Sequence, residues 1–234
     1  MTILLVLIGA YLIGSLPPGF WIVKLITGRD IRKIESGRTG GTNAMRAAGP
    51  FAGLATALLD VLKGVGAGWL AQWILPGDYW VHVLAPVMAI IGHNASIFLI
   101  ERNSKGQIQL RGGAGGATCL GGVISLWPMS GLIILPVAAL IFVFVGYASV
   151  TTMSVGILAL LMMVFRAWSG VSPWVYVLYG LMAEVVILWA LRPNITRLIK
   201  GTERLVGLRA YLIKKANLKK AHQKYYFQRK LDKV

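Results

Sequence analysis

The chain has 234 residues, of which 56% are hydrophobic and only 14% are charged, and its mean hydropathy is +0.69. A soluble domain usually carries about 25% charged residues, so this composition excludes an ordinary soluble globular protein. The formal net charge of +16 would suggest nucleic acid in a soluble chain. Here the basic residues follow apolar segments, so we expect no nucleic-acid partner and a single all-α integral membrane domain.

Apolar segments long enough to cross a bilayer recur along the chain. The sequence predicts seven spans, with five or six as the alternative counts. The spans cover about residues 3–26, 51–75, 80–100, 117–129, 132–147, 148–165 and 173–191. The first segment lacks the basic start of a signal peptide, so we expect an uncleaved span. Residues 1–200 are predicted to form the membrane domain and residues 201–234 a basic cytoplasmic tail.

The basic residues are concentrated on one side of this predicted topology. The loop at 24–46 holds six Lys and Arg residues, the loop after the third span holds three, and the chain from Arg192 onward holds thirteen. The other connections together hold only Arg166. The positive-inside rule therefore predicts an N-terminus outside and a C-terminus in the cytoplasm. The tail is expected to be solvated or to contact anionic lipid headgroups.

The first basic loop combines glycines with hydroxyl, amide and guanidinium groups. Glycine N–H groups can approach an anion closely, and the side chains add further donors. The loop therefore predicts a phosphate-binding site, with a glycine-rich connector between two helices as the alternative. It has no Gly-Lys-Ser/Thr at the spacing of a nucleotide-binding P-loop. Its candidate residues are Ser36, Gly37, Arg38, Gly40, Thr42, Asn43 and Arg46.

Two later segments carry similar groups. The second loop leads into the fourth span, where the free N–H groups of a helix N-terminus favour anions. Close helix packing through small residues is the alternative. The candidates in this loop are Arg111, Gly112, Gly113, Gly115 and Thr118. The third segment follows the last span and carries Asn194 and Glu203, with a plain basic stop sequence as the alternative.

Ionisable residues also fall inside the predicted spans. Asp60 and Lys63 are three residues apart in the second span, so they are expected to share a helix face and to pair. His93 and Glu184 lie in other spans. Such residues usually face a protein interior or a wet cavity, and a structural ion pair or a core histidine explains them as well as catalysis does. No residues have metal-ligand spacing, so neither a metal nor a cofactor is expected.

These segments, in this order, resemble the bacterial acyl-phosphate:glycerol-3-phosphate acyltransferase family, known as PlsY. The resemblance implies transfer of a fatty acyl group from acyl phosphate to the 1-hydroxyl of sn-glycerol 3-phosphate. The product is lysophosphatidic acid, made for phospholipid biosynthesis at the cytoplasmic face of the bacterial cell membrane. The similar stretches are Gly14-Ser15-Leu16-Pro17, Ser36 to Asn43, Leu59 to Gly64, Gly92-His93-Asn94, Gly112 to Thr118, Tyr147 with Ser149, and Asn194 to Glu203.

The resemblance also implies roles for the candidate residues. It implies catalytic roles for Ser36, Arg46, Asn194 and Glu203. It implies phosphate-binding roles for the other candidates of the two glycine-rich loops. It implies a supporting role for Asp60, Lys63, His93, Tyr147 and Ser149. The expected partners are the two substrates and membrane lipids, and a monomer is compatible with the sequence.

The sequence departs from the family's pattern at five positions. Ala114 and Leu191 stand where the family has a lysine and a histidine. We expect Arg38 or Arg111 to restore the missing charge from another position. The alternatives are a diverged member that is inactive or uses another acceptor, and a small membrane transporter. The other departures, from arginine, asparagine and proline, are Gly146, Arg38 and Ser96.

Overall fold

The structure is a computed structural model that describes the backbone of residues 1–102 and 106–231, with side chains as far as residue 219. Lys105 of the second basic loop and the last three residues of the predicted tail lie outside the described residues. The described chain forms ten α-helices and one β-hairpin. In chain order these are α1 (Thr2–Ser15), α2 (Pro18–Thr27), α3 (Gly41–Ala48), α4 (Pro50–Ile74), α5 (Tyr79–Asn94), β1 (Ser96–Arg102), β2 (Ile108–Arg111), α6 (Gly116–Leu126), α7 (Ser130–Leu140), α8 (Ala148–Trp168), α9 (Val175–Ile199) and α10 (Gly207–Leu231).

The helices have the length and surface of membrane-spanning segments. Four helical segments are long and apolar enough to cross a bilayer: α1 with α2, α4, α8 and α9. Large apolar side chains point outward on them, and Leu25, Trp73 and Phe165 are 84%, 83% and 62% exposed. An outer surface of this kind suits lipid rather than water. The prediction of a mostly helical integral membrane fold is therefore confirmed.

The prediction of an all-α fold is wrong after the third apolar segment. The helix α5 ends at Asn94, and residues predicted to continue the span form the strand β1 instead. This strand pairs antiparallel with β2, from Ser96 opposite Arg111 to Arg102 opposite Ile108. The segment after Asn94 is rich in β-branched and aromatic residues, which favour a strand once a partner strand is present.

Two other predicted segments have different boundaries in the structure. The first span is interrupted at Leu16, since α1 ends at Ser15 and α2 begins with Pro18. Proline cannot supply the N–H that a continuous helix needs. The last span extends beyond its predicted end at residue 191, because α9 continues through Pro193 to Ile199. Asn194 therefore lies on a helix rather than in a loop.

The main apolar core lies between α5, α6, α8 and α9. Its fully buried side chains include Ile90, Val123, Met163, Tyr179 and Ile187. The glycine-rich α6 also packs directly against α4. These contacts fix the ends of four helices relative to one another, and the polar loops lie at those ends.

Replacement of Gly64 by alanine tests the close contact between α4 and α6. A Cβ atom on Gly64 would overlap the Thr118 carbonyl oxygen, so the helices would have to move apart. Overpacking of this kind typically costs about 1–3 kcal/mol. We expect a lower midpoint of thermal unfolding for purified Gly64→Ala, monitored by tryptophan fluorescence in detergent. Gly66→Ala is the matched control on the same helix, because its added Cβ meets no atom within 4 Å; equal midpoints for the two variants would contradict the prediction.

Candidate active site

The Arg38 side chain joins three segments that are far apart in the sequence. Its Nη1 atom donates a hydrogen bond to the Gly113 carbonyl oxygen at 3.0 Å. Its Nη2 atom donates to the Ala190 carbonyl oxygen at 2.6 Å and to the Asn194 Oδ1 atom at 3.0 Å. One guanidinium therefore connects the first loop, the second loop and the cytoplasmic end predicted for the last span.

The first loop is held in shape by Asp30 and Asn43. The Asp30 Oδ1 atom accepts a hydrogen bond from the Arg32 N–H at 2.9 Å. A further hydrogen bond from the Arg32 side chain lowers the pKa of the Asp30 carboxyl. The buried Asn43 Nδ2 donates to the Arg38 carbonyl oxygen at 2.8 Å, while its Oδ1 atom has no partner among the described residues. Asn43 thus supports the backbone that carries Arg38, and its predicted contact with phosphate stays a prediction.

The second loop is fastened to the end of α5 and to the first loop. The Gly113 N–H donates to the His93 carbonyl oxygen at 2.9 Å. The Gly112 carbonyl oxygen accepts from the Thr39 N–H at 3.3 Å. Gly115 then starts α6 with a φ of +92°, a conformation that favours glycine. The loop therefore presents backbone groups at the N-terminus of α6, next to the Arg38 guanidinium.

Glu203 organises the end of α9. Its Oε1 atom accepts hydrogen bonds from Asn194 Nδ2 at 2.8 Å and from Ser149 Oγ at 3.4 Å. Its Oε2 atom accepts from Arg197 Nε at 2.8 Å. Because Asn194 donates to Glu203, its carbonyl oxygen faces Arg38. The Glu203 carboxylate thus orients the amide that holds the central cation.

The Arg38 cation is not neutralised by direct contact with an acid. None of the described carboxylates lies within 4.0 Å of its guanidinium, and its three acceptors are uncharged oxygens. Partial burial lowers the pKa of Arg38, although an arginine side chain remains protonated at neutral pH. A partly buried cation that contacts none of the described carboxylates directly is a strong attractor for an anionic ligand.

The structure distinguishes between the two arginines expected to replace the missing charge. The Arg38 guanidinium donates to the carbonyl oxygens of Gly113 and Ala190. These residues directly precede Ala114 and Leu191 in the chain. Arg111 instead pairs with Glu101 across the β-hairpin. Of these two arginines, Arg38 is therefore the one whose guanidinium lies at Gly113 and Ala190, next in the chain to Ala114 and Leu191. Its replacement of a missing charge stays a prediction.

The other candidates of the first loop lie around Arg38 or on α3. The Ser36 hydroxyl accepts from the Arg38 N–H at 3.4 Å, and Gly37 follows it in a turn with φ of +68°. Gly40 precedes α3 and Thr42 lies in its first turn, so both are at a helix N-terminus. Arg46 lies in the last turn, where its Nη2 donates to a main-chain carbonyl oxygen at 3.4 Å and burial lowers its pKa.

The remaining candidates are polar groups of the helices. Thr118 is fully buried in α6, and its hydroxyl has no partner among the described residues. Tyr147 lies under the Arg209 guanidinium, 5.1 Å from the ring centroid. The expected pair of Asp60 and Lys63 is present, with 2.8 Å between Oδ1 and Nζ.

The site residues predicted from the sequence did not include three contributors to this arrangement, although Thr39 and Arg197 lie within the predicted segments. Thr39 and Ala190 act through backbone atoms, for which a side-chain motif gives no signal. The Arg197 side chain binds Glu203. Arg197 lies one helical turn after Asn194, so a predicted helix that reached residue 199 would have placed the two side chains on one face.

Comparison with known proteins identifies the family. The family model for glycerol-3-phosphate acyltransferase matches residues 4–201. A relative from Moorella thermoacetica, named glycerol-3-phosphate acyltransferase 2, is 36% identical over 88% of this chain and 99% of its own. The glycerol-3-phosphate acyltransferase of Thermus thermophilus is 36% identical over 86% of this chain and 94% of its own.

Solved structures give the same result. The crystal structure of PlsY (YgiH), an integral membrane glycerol 3-phosphate acyltransferase in its glycerol 3-phosphate form, superposes with a TM-score of 0.76 and 30% identity. The match covers 91% of this chain and 99% of that protein. Its lysophosphatidic acid form gives a TM-score of 0.74 with 91% and 100% coverage. The chain belongs to the glycerol-3-phosphate acyltransferase family.

Proposed function

We propose that this protein transfers a fatty acyl group from acyl phosphate to the 1-hydroxyl of glycerol 3-phosphate, giving lysophosphatidic acid for phospholipid biosynthesis. The observation that carries the proposal is the Arg38 guanidinium, which joins Gly113, Ala190 and Asn194 without a carboxylate partner among the described residues. Both substrates are phosphorylated, so a cation surrounded by glycine-rich backbone is a suitable receptor.

In the proposed reaction the enzyme positions two substrates. The 1-hydroxyl oxygen attacks the acyl carbonyl carbon, a new ester C–O bond forms, and the bond from that carbon to the phosphate oxygen breaks. Inorganic phosphate leaves with the bonding electrons, and the hydroxyl proton is released. Because acyl phosphate is already activated, no nucleophile on the protein is needed. Arg38 stabilises phosphate charge, and Ser36, Arg46, Asn194 and Glu203 complete the predicted site around it.

An apolar cleft supports a lipid donor. It has a volume of about 960 Å³ and lies between the end of α5, the strand β2 and α9. Its lining residues include Val185, Trp189 and Leu110, together with Asn94 and Ala190. The Ala190 carbonyl oxygen accepts a hydrogen bond from Arg38. In our proposal the acyl chain lies in this cleft and the phosphate lies at Arg38.

We further propose seven membrane crossings, with the N-terminus outside and the active site and C-terminus in the cytoplasm of a bacterium. Residues 1–200 would form the membrane domain and residues 201–234 the basic tail. The contacts of Arg38 support this topology, since its three segments must then lie at one membrane face. Two segments on the same membrane face must be separated by an even number of crossings. The helices α4 and α5 supply two crossings between the first and second loops, and α6 to α9 supply four between the second loop and the end of α9.

Cysteine labelling tests the topology. The single native cysteine, Cys119, is buried, so the labelling of an introduced cysteine can be measured without a contribution from Cys119. A membrane-impermeant maleimide should label Gly77→Cys and Val171→Cys in intact cells. Arg29→Cys and Lys200→Cys should react only after the membrane is opened. Labelling of both sets in intact cells would contradict the proposed orientation.

The activity is tested with purified protein, palmitoyl phosphate and glycerol 3-phosphate. We expect equal amounts of lysophosphatidic acid and inorganic phosphate to form. Absence of both products from a folded protein would overturn the proposal and favour an inactive relative. Activity that requires a different polar acceptor would overturn only the assignment of glycerol 3-phosphate. Solute flux in proteoliposomes without acyl transfer would favour a transporter.

Glu203→Gln tests the proposed role of the α9 end. A glutamine side chain offers one carbonyl oxygen, whereas the carboxylate accepts from Asn194 and Arg197 on two oxygens. We expect kcat/KM to fall by about tenfold, as for the loss of a charged hydrogen bond. The control is Glu35→Gln, because Glu35 is half exposed and lies 3.6 Å from Arg204 in an exposed ion pair. The same decrease in both variants would contradict the role of Glu203.

A further inference from the structure

Three ionisable side chains form a buried cluster beneath the second loop. Lys63 Nζ lies 2.8 Å from Asp60 Oδ1 and 2.6 Å from His93 Nδ1. It also donates to the Leu16 carbonyl oxygen at 3.0 Å, at the break between α1 and α2. The side chains of Asp60, Lys63 and His93 are only 2%, 5% and 4% exposed. A cluster so well buried, with all its members in contact, has one defined arrangement.

Both partners of the ion pair contact the same nitrogen of His93. Its Nδ1 atom lies 2.6 Å from Lys63 Nζ and 3.4 Å from Asp60 Oδ1. Among the described residues, Nε2 has no hydrogen-bond partner. The ion pair of Asp60 and Lys63 therefore fixes the direction of the His93 ring, with Nδ1 toward the pair and Nε2 toward Gly113.

The His93 ring fixes the position of Gly113. The Nε2 end of the ring lies where a Cβ atom on Gly113 would be, and such an atom would overlap it. The His93 backbone holds the same residue, since its carbonyl oxygen accepts from the Gly113 N–H at 2.9 Å. Gly113 in turn accepts the hydrogen bond from Arg38 Nη1 at 3.0 Å. A continuous path of contacts thus runs from Asp60 to the Arg38 guanidinium.

We infer that Asp60, Lys63 and His93 act as a positioning cluster for acyl transfer. Through the His93 ring they set the position of Gly113, and Gly113 sets the position of the Arg38 cation. The inference rests on the proposed function, because it assigns the cluster to the site that binds phosphorylated substrate. It separates this cluster from a simple ion pair that only stabilises the helices.

A double-mutant cycle between Gly113 and His93 tests the inference. Gly113→Ala places a methyl group against the ring and should displace the loop, so we expect kcat/KM to fall about tenfold or more, with a higher KM for glycerol 3-phosphate. His93→Ala should have a similar effect, because Gly113 loses its support. In the double variant the methyl group occupies the space left by the ring. We expect kcat/KM of the double variant to be no lower than that of His93→Ala. Independent effects of the two substitutions would multiply to a decrease of about a hundredfold.

His82 provides the matched control. It is a second buried histidine of α5, with Nδ1 at 3.0 Å from the Tyr176 hydroxyl and Nε2 at 2.8 Å from the Leu75 carbonyl oxygen. It lies 11 positions before His93, about 16 Å away along the helix. His82→Ala should lower the unfolding midpoint and leave KM and kcat unchanged.

The outcomes separate the inference from the proposed function. Wild-type protein without acyl transfer would overturn the proposed function. Active wild-type protein with multiplying effects of the two substitutions would overturn the positioning cluster alone. So would a His93→Ala variant whose unfolding midpoint falls while its kinetic constants stay unchanged, because that is the behaviour of a purely structural histidine.

Discussion

Replacement of Arg38 by alanine is expected to lower kcat/KM for acyl transfer by about 10²–10³-fold, the usual cost of removing one donor that stabilises transition-state charge. The variant loses the cation that contacts Gly113, Ala190 and Asn194 together. It keeps the hydrogen bond from Asn43 to the backbone of residue 38, so the loop retains its main support. The measurement is initial-rate kinetics with palmitoyl phosphate and glycerol 3-phosphate.

Arg29→Ala is the control for Arg38→Ala. Arg29 lies in the same loop and is exposed, and among the described residues its side chain contacts none of the groups around Arg38, so its loss should change kcat/KM little. Arg38→Lys should recover only part of the activity, because a lysine keeps the charge but cannot reproduce the planar fork of donors. Equal activities of wild type and Arg38→Ala would contradict the central role of the cation.

Ala114→Lys tests whether Arg38 supplies the positive charge that the family resemblance leads us to expect at position 114. Arg38 already donates to the carbonyl oxygen of Gly113, which directly precedes Ala114. A lysine at position 114 would therefore add a second positive charge beside the Arg38 guanidinium. We expect no gain in kcat/KM for Ala114→Lys in the presence of Arg38. A large gain would mean that the charge is still missing and would contradict the replacement. In the double variant Ala114→Lys with Arg38→Ala, we expect kcat/KM to be higher than in Arg38→Ala alone.

The three segments of the candidate site could be predicted because each combines glycines with cationic or amide side chains beside an apolar span. Their proposed position on one membrane face rests on the uneven distribution of Lys and Arg. The individual contacts could not be predicted in the same way. Arg38 binds two main-chain carbonyl groups, those of Gly113 and Ala190, and any residue at those positions carries such a group. Asn43 illustrates the same limit, since its amide suits phosphate but here binds the backbone of its own loop.

Hydrophobicity located the apolar segments well and their ends poorly. The run from Trp80 to Ile100 contains no Asp, Glu, Lys or Arg, although the helix ends at Asn94 and a strand follows. A strand needs a partner, and β2 is too short to be recognised by itself. The last span was predicted to end at residue 191, but α9 continues through Pro193 to Ile199. Tertiary contacts of Asn194 with Arg38 and Glu203 accompany that continuation.

The largest effect on stability is expected for Lys63→Met. Methionine removes the ammonium group and leaves Asp60, whose side chain is 2% exposed, without its ion-pair partner. Breaking a buried ion pair in this way typically costs about 3–5 kcal/mol, because one charge stays buried and uncompensated. We expect a strong decrease in the thermal unfolding midpoint in detergent. Arg204→Met is the control, since the exposed pair of Arg204 with Glu35 should contribute at most about 1 kcal/mol.

The double variant Asp60→Leu with Lys63→Met shows whether the cost comes from the unpaired charge. Removing both partners leaves no buried carboxylate, so the double variant should unfold at a higher temperature than Lys63→Met. It should still be less active than wild type, because His93 Nδ1 loses both of its partners and the ring loses its fixed orientation. Recovery of stability without recovery of activity would separate the two contributions of the ion pair. A double variant less stable than Lys63→Met would instead mean that the methylenes and packing of Asp60 and Lys63, rather than their charges, hold α4 against its neighbours.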